Sequence, residues 1–168
     1  MNVLITGRPG IGKTTLIKKL IERSSVPCRG FYTEEMREGG HRTGFLLRTL
    51  GGAETVLASV FVKSSRKVGK YGVDLEAFER VGLPPLKEAA SGGKELIIVD
   101  EIGKMELFSA AFREAVGQAM DTGRVVATIR SGGDDFVGRI KQRKDVRLVT
   151  MTLQNRDDLL EDVLEMIG

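Results

Sequence analysis

The sequence predicts an α/β fold with three layers, in which a mostly parallel β-sheet lies between helices on its two faces. The chain opens with an apolar run, a glycine-rich turn and an amphipathic segment of helical period, which together form a strand–turn–helix unit. Apolar and amphipathic segments then alternate from residue 74 onward, as in parallel sheets whose crossover connections are helices. Between these parts lies a section rich in β-forming residues, which predicts antiparallel hairpins.

The first part of the chain supplies a strand, a helix and the hairpin section, in that order. The apolar run within residues 2–6 predicts a buried strand, and leucine and isoleucine pairs spaced four residues apart predict a helix over 13–23. The hairpin section spans residues 29–62, where paired glycines at 39–40 and 51–52 mark turns. Its predicted strands cover residues 30–33, 43–50 and 55–61.

The second part of the chain alternates between helices and strands. A helix is predicted over residues 74–90, and Pro84 and Pro85 could interrupt it because proline lacks the backbone donor that a helix interior needs. Beyond it we expect strands over 95–100, 124–129 and 146–152, and helices over 105–121, 134–142 and 155–167.

Length and composition favour one domain over residues 1–168. The 168 residues are 41% hydrophobic and 29% charged, a balance that suits a single buried core. No apolar run approaches the roughly 18 residues that cross a bilayer, so no membrane partner is expected. The 26 basic and 23 acidic residues leave a net charge of +3, which argues against a nucleic acid partner. The single cysteine, Cys28, cannot form an internal disulfide, so we expect a cytoplasmic protein, and we favour a monomer although the sequence leaves the oligomeric state open.

A phosphate-binding loop is the strongest motif in the chain. Residues 7–14 read GRPGIGKT and match the pattern G-x-x-x-x-G-K-[ST] between the first strand and the first helix. Backbone N–H groups of such a loop surround the β-phosphate, the lysine reaches the β- and γ-phosphate oxygens, and the threonine hydroxyl is a ligand of Mg²⁺. The predicted nucleotide-binding residues here are Gly7, Arg8, Pro9, Gly10, Ile11, Gly12, Lys13, Thr14 and Thr15.

Two acidic residues end the apolar run at 96–99 and complete the predicted site. An aspartate at the end of such a strand holds the metal of a phosphate-binding loop, so Asp100 and Thr14 are the predicted Mg²⁺ ligands. Glu101 follows directly and would point to the γ-phosphate side, where it could orient or deprotonate a water. We therefore predict Glu101 and Lys13 as the catalytic residues of a hydrolytic reaction.

Four kinds of side chain outside these motifs are further candidates for this site. Thr128 ends the predicted strand at 124–129 and either senses the γ-phosphate or is a strand threonine with a satisfied hydroxyl. Phe31 or Tyr32 could stack on a base, although aromatic residues in such a section more often belong to the core. Arg66 and Arg130 each follow a predicted strand and are candidates for an arginine finger.

Long runs of the chain resemble the nucleoside-triphosphatase family first described from thermophiles, also called the cancer-related nucleoside-triphosphatase family. The similarity lies in ITGRPGIGKTTL (5–16), GFYTEE (30–35), RTGF (42–45), YGV (71–73), VDEIGKMELF (99–108) and NRD (155–157), and it covers nearly the whole chain. The phosphate-binding loop is shared by many families, whereas DEIGKMEL together with GFYTEE is specific to this one.

The resemblance implies a small P-loop enzyme that hydrolyses nucleoside triphosphates to the diphosphate with Mg²⁺ and little base selectivity. ATP and GTP would be substrates and, we expect, CTP and UTP as well. The family carries a His-Pro pair where residues 130–135 of this chain read RSGGDD, so no role of that histidine can be transferred. The resemblance also implies a second nucleotide-contacting segment, formed by Ile97, Ile98, Val99, Asp100, Glu101, Ile102, Gly103 and Lys104.

Two alternative functions remain open from the sequence. A nucleotide or nucleoside kinase would need a second pocket for its acceptor and usually an arginine-rich lid, for which the sequence gives no clear sign. A GTP-dependent switch is suggested by Asp100-x-x-Gly103 and by the segment NRDD at 155–158, which approximates the guanine-reading pattern N-K-x-D. The same segment is also a typical helix start, because asparagine is a good N-cap and the aspartates favour the positive helix end.

Overall fold

The computed structural model describes all residues 1–168 and contains nine strands in one sheet. The strands are β1 (Asn2–Thr6), β2 (Cys28–Glu38), β3 (His41–Thr49), β4 (Glu54–Ser59), β5 (Lys67–Val68), β6 (Tyr71–Val73), β7 (Leu96–Ile102), β8 (Val125–Ile129) and β9 (Val146–Thr150). Their order across the sheet is β5-β6-β4-β3-β2-β7-β8-β1-β9. The carboxyl ends of β1, β7 and β8 share one edge because these strands are parallel neighbours.

The sheet is mixed rather than mostly parallel. Four of the eight neighbouring strand pairs are antiparallel, and they involve the strands from β2 to β6. The long strand β2 joins the parallel part of the sheet to the antiparallel part. It pairs in parallel with β7 through residues 28–31 and antiparallel with β3 through residues 31–38. The prediction of a mostly parallel sheet was wrong because the hairpin section extends the same sheet instead of lying beside it.

Helices cover both faces of the sheet. The strands alternate their apolar side chains between the faces, so that Leu4 of β1 belongs to one core cluster while Val3 and Ile5 belong to the other. Three helices pack in the first cluster, and α1 and α5 pack in the second. The helices are α1 (Lys13–Arg23), α2 (Leu75–Ala90), α3 (Ala110–Asp121), α4 (Asp135–Lys141) and α5 (Leu159–Ile167), and a 3₁₀ turn spans Glu106–Phe108.

The bounds of β1 and α1 confirm the prediction residue for residue, whereas several later elements differ. The predicted helix over 105–121 is divided, because the Ser109 hydroxyl accepts a hydrogen bond from the backbone of Phe112 and so begins α3 after the 3₁₀ turn. α2 continues through Pro84 and Pro85, where the buried neighbours Leu83 and Leu86 favour the packed helix. None of the helices combines the length and the apolar character that crossing a bilayer requires.

The C-terminal helix starts later than predicted. α5 begins at Leu159, because Asn155 forms a turn instead of capping a helix. Its Oδ1 accepts a hydrogen bond from the backbone N–H of Thr152 at 2.7 Å, and its Nδ2 donates to the backbone oxygen of Thr150 at 2.8 Å. The two short strands β5 and β6 were also missed, since strands of two and three residues carry no readable period.

Candidate nucleotide-binding site

The loop over residues 7–12 connects β1 to α1 and has the geometry of an anion site. Gly12 precedes the helix at φ 114°, a left-handed conformation that is strained for any residue with a side chain. No side chain caps the helix, and its first turn contains no acidic residue. The backbone N–H groups of the first turn and the positive helix end are therefore directed at whatever binds in front of α1.

Lys13 folds back over this loop. Its Nζ donates hydrogen bonds to the backbone oxygen of Gly7 at 2.6 Å and to that of Arg8 at 3.2 Å. These carbonyls fix the ammonium group above the loop, where it adds a positive charge to the N–H groups of the helix end. The arrangement favours a ligand that carries several negative charges.

Asp100 lies at the carboxyl end of β7 and binds two threonine hydroxyls. Its Oδ2 accepts a hydrogen bond from Thr14 Oγ1 at 2.8 Å, and its Oδ1 accepts one from Thr128 Oγ1 at 2.6 Å. The residue is 2% exposed, and burial raises the pKa of its carboxyl, while hydrogen bonds from Thr128, Thr14 and the backbone of Thr33 oppose that shift. The structure thus brings both predicted metal ligands together.

Thr128 is fully buried, and its hydroxyl donates to Asp100. Of the two interpretations that the sequence left open, this contact agrees with the threonine whose hydroxyl is satisfied within the protein. The hydroxyl fixes the orientation of the Asp100 carboxylate, and it does so from the neighbouring strand β8.

Glu101 is half-buried beside Asp100 and lines a cavity of about 440 Å³ together with Lys13 and Arg130. Burial raises the pKa of its carboxyl, the charge of Asp100 adds to this, and Lys13 and Arg130 act in the opposite direction. Its side chain lies against Gly103, where a Cβ atom would come within 2.7 Å of Oε1 and 2.8 Å of Cγ. The position of the Glu101 carboxylate therefore depends on a glycine at 103.

We expect Gly103→Ala to displace the Glu101 carboxylate and to reduce kcat by roughly tenfold, because small misplacements of a reacting group slow catalysis strongly. The nucleotide dissociation constant should change little, since the glycine does not line the phosphate-binding loop. Gly117→Ala is the matched control, because a Cβ there meets no atom within 4 Å. Steady-state kinetics and nucleotide titration of both variants check this, and an equal effect of the two substitutions would contradict it.

The segment implied by the resemblance divides into buried and accessible residues. Ile97, Ile98, Val99 and Ile102 are fully buried in the two core clusters. Glu101 and Lys104 line the cavity beside the phosphate-binding loop, and Asp100 reaches Thr14. The accessible part of the segment is therefore its end, where β7 leaves the sheet.

A second cavity, of about 510 Å³, opens on the other side of the phosphate-binding loop. It is lined by Gly12, Thr15 and Lys19 from the loop and α1, and by Arg156 and Asp157 from the segment before α5. The Asp157 side chain is 94% exposed, so it is not enclosed as a residue that reads the edge of a base would be. Arg156 and Asp157, from the segment that approximates the guanine-reading pattern, thus lie beside the phosphate-binding loop.

Of the candidates for an arginine finger and for base stacking, one lines the cavity beside Glu101 and the others lie elsewhere. Arg130 lines the cavity beside Glu101, whereas Arg66 is exposed and does not. Phe31 is fully buried and packs edge-on against Phe78, with ring centroids 5.9 Å apart, so it belongs to the core. Tyr32 is half-buried beneath the ammonium group of Lys18.

Glu106 lines the same cavity as Glu101, and the sequence did not indicate it as a site residue. It is 4% exposed, and its Oε2 is buried without a hydrogen-bond partner. Burial and the charges of Glu101 and Asp100 raise the pKa of its carboxyl well above the usual value. The sequence predicted a long helix over 105–121 with Glu106 in its first turn. A glutamate at such a position is ordinarily exposed, so nothing in the sequence indicated that it is buried.

A model of the protein family described as NTPase matches residues 2–164 of the chain. The chain belongs to this NTPase family. The chain is 51% identical over 168 residues to the nucleoside-triphosphatase THEP1 of Thermotoga maritima. This alignment covers 99% of the chain and 95% of that protein. The resemblance seen in the sequence is confirmed, and with it the prediction of an enzyme of the nucleoside-triphosphatase class.

Solved structures of two relatives have the same fold. The crystal structure of THEP1 from Aquifex aeolicus has a TM-score of 0.90 and 42% identity, covering 100% of this chain and 99% of that one. The solution structure of a human cancer-related nucleoside triphosphatase has a TM-score of 0.83 and 41% identity, and the match covers 99% of this chain and 97% of that one. The α/β fold with a large mixed sheet is thus that of the family.

Proposed function

We propose that this chain is a P-loop NTPase that hydrolyses nucleoside 5′-triphosphates to the diphosphate and phosphate. The observation that carries the proposal is the convergence of Lys13, Thr14, Asp100 and Glu101 in front of the first helix, although they come from two distant parts of the chain. The names of the relatives agree with this activity. The proposed nucleotide-contacting residues are the loop residues 7–15 and the accessible end of β7.

Each residue has a role that follows from its position. The N–H groups in front of α1 and the Lys13 ammonium would hold the β- and γ-phosphates and take up the charge that develops during transfer. Glu101 would orient a water on the γ-phosphate side and accept its proton, as its raised pKa suits a general base better than that of an ordinary glutamate does. The phosphoryl group then passes to the water in line with the leaving diphosphate.

Thr14 and Asp100 fit a Mg²⁺ ion. Mg²⁺ prefers hydroxyl and carboxylate oxygens, and it usually binds to one or two protein groups together with substrate phosphates and water. The Thr14 hydroxyl and the Asp100 carboxylate lie within hydrogen-bond distance of each other, so one ion could bind to both together with substrate phosphates. When bound, the ion would neutralise charge on the phosphates.

We expect Asp100→Asn to raise the Mg²⁺ concentration needed for half-maximal activity by roughly tenfold or more, because the amide lacks the charge that holds the metal and its water shell. Asp162→Asn, on the exposed face of α5, is the matched control and should leave the requirement unchanged. A Mg²⁺ titration of turnover measures the effect. A curve for Asp100→Asn that coincides with wild type would remove Asp100 from the metal site.

The cavity lined by Arg156 and Asp157 supports low base selectivity. It is open, and its polar side chains are exposed, so a base would lie there without the enclosed hydrogen-bonding groups that reject wrong bases. Hydrolysis of ATP, GTP, CTP and UTP under equal conditions tests this. We expect kcat/KM values within about tenfold of one another, whereas a GTP-dependent switch would discriminate by several orders of magnitude.

A further inference from the structure

The cavity beside Glu101 is lined, beyond the region in front of Lys13, by residues that hydrolysis does not use. Its volume of about 440 Å³ includes the region in front of Lys13, where a γ-phosphate would lie, but it extends away from the phosphate-binding loop. A water molecule accounts for only about 30 Å³. The rest of the space is bounded by side chains of the antiparallel strands and of the segment after β7, among them Phe45, Leu57, Val68 and Met105. These apolar walls suit an organic molecule rather than water.

Glu106 places a carboxyl with one unpartnered oxygen at this extension. The residue is almost fully buried and lines the cavity, yet its Oε2 has no hydrogen-bond partner in the protein. A buried polar atom without a partner costs free energy, so proteins seldom keep one that nothing binds. Neither the phosphate-binding loop nor the pair of Asp100 and Glu101 uses this carboxyl. A ligand hydroxyl would satisfy this oxygen once the Glu106 carboxyl turns toward the cavity.

Positive charge surrounds the outer part of the same space. Lys104 and Arg130 line the cavity and also an adjoining one of about 360 Å³, to which Lys67 contributes. None of these three cations forms an ion pair. In the adjoining cavity the acidic residue Asp134 is paired with Arg113 instead. The free cations favour a ligand that carries an anionic group.

We propose that this extension is an acceptor subsite for a small molecule with a ring-sized apolar body, a hydroxyl group and an anionic group. The proposal rests on the nucleotide site described above, which supplies the phosphoryl donor. The apolar body lies against Val68 and Met105, the anionic group lies near Lys104 and Arg130, and Glu106 orients the hydroxyl. When this subsite is filled, the γ-phosphoryl group passes to the hydroxyl instead of to water.

The transfer is balanced without any further reactant. The hydroxyl oxygen forms a bond to the γ-phosphorus, and the bond between that phosphorus and the β–γ bridging oxygen breaks. The diphosphate leaves with the electron pair, and the hydroxyl proton passes to the Glu101 carboxylate. The products are a nucleoside diphosphate and a phosphate monoester of the acceptor.

The experiment uses ATP labelled at the γ-phosphate, Mg²⁺ and para-(hydroxymethyl)benzoate as the acceptor probe. We expect labelled monoester beside labelled phosphate, with a ratio of ester to phosphate that saturates as the probe concentration rises. Para-toluate lacks the hydroxyl and should compete with the probe without being labelled. Release of phosphate alone at every probe concentration, or a ratio that rises linearly without competition by para-toluate, would overturn the proposal.

Two variants test the assignment of the cavity, with the ester-to-phosphate ratio as the measurement. Val68→Trp fills the apolar part, and Glu106→Leu removes the carboxyl while keeping an apolar side chain that suits a buried position. Each should lower the ratio roughly tenfold or more, whereas Val26→Trp, in the exposed loop before β2, should leave it unchanged. A ratio unaffected by both cavity variants would overturn the assignment. A wild-type protein that releases no phosphate without the probe would instead refute the proposed NTPase function.

Discussion

Lys13→Ala is expected to abolish measurable turnover, a reduction of roughly 10³-fold or more, and to weaken nucleotide binding. The ammonium group is held above the loop by the carbonyls of Gly7 and Arg8, so it is positioned before any nucleotide binds. Preorganised charge of this kind stabilises the developing negative charge on the transferring phosphoryl group without further reorganisation. Alanine leaves the backbone N–H groups in place, which is why some binding should persist.

The measurement combines single-turnover hydrolysis with equilibrium nucleotide titration. Lys87→Ala, at an exposed position of α2, removes the same charge far from the loop and should behave as wild type. Thermal unfolding of both variants establishes that they are folded. A folded Lys13→Ala protein with turnover within threefold of wild type would refute the assignment of the phosphate-binding loop.

The sequence predicted the parts of the site that depend on local pattern. The strand–loop–helix unit around Gly12 and Lys13 follows from a motif whose residues are contiguous, and its bounds are confirmed. The approach of Asp100 to Thr14 also follows, because the carboxyl ends of parallel neighbouring strands meet at one edge of the sheet. Contiguous motifs and sheet polarity thus carry enough information to predict that Lys13, Thr14 and Asp100 lie close together.

The parts that were not predicted depend on contacts between distant segments. Strand β2 pairs with β7 on one side and with β3 on the other, and nothing within its eleven residues indicates this double pairing. The cavity beside Glu101 and Glu106 likewise forms only because residues of β3, β4 and β5 line it together with the segment after β7. Propensity and periodicity describe neighbours along the chain. They therefore do not predict a cavity whose lining residues lie about 40 to 60 positions apart in the sequence.

Asp100 and Glu101 are adjacent carboxylates with different surroundings, and this difference separates their roles. Both oxygens of Asp100 accept hydrogen bonds from threonines, which fixes the orientation of the carboxylate beside Thr14, the other proposed Mg²⁺ ligand. Glu101 has no such partner and faces the open cavity, where it meets Lys13 and Arg130 at longer range. A carboxylate that is not committed to a metal or to a hydrogen-bond network is free to bind and deprotonate a nucleophile.

Glu101→Gln is therefore expected to slow hydrolysis by roughly 10²-fold or more, the scale of a lost general base, while Mg²⁺–nucleotide binding stays within about threefold of wild type. Glutamine keeps the length of the side chain and its contact with Gly103, but it cannot accept the proton of the attacking water. Since the charge of Glu101 contributes more to the transition state than to the ground state, binding and chemistry should separate.

Equilibrium titration and single-turnover hydrolysis on the same preparation measure the two quantities. Glu114→Gln, at an exposed position of α3, removes the same charge from the surface and should leave both unchanged. If Glu101 formed merely a stabilising surface contact, its substitution would alter the free energy of unfolding and leave kcat nearly intact. A kcat within threefold of wild type would exclude Glu101 from the chemical step.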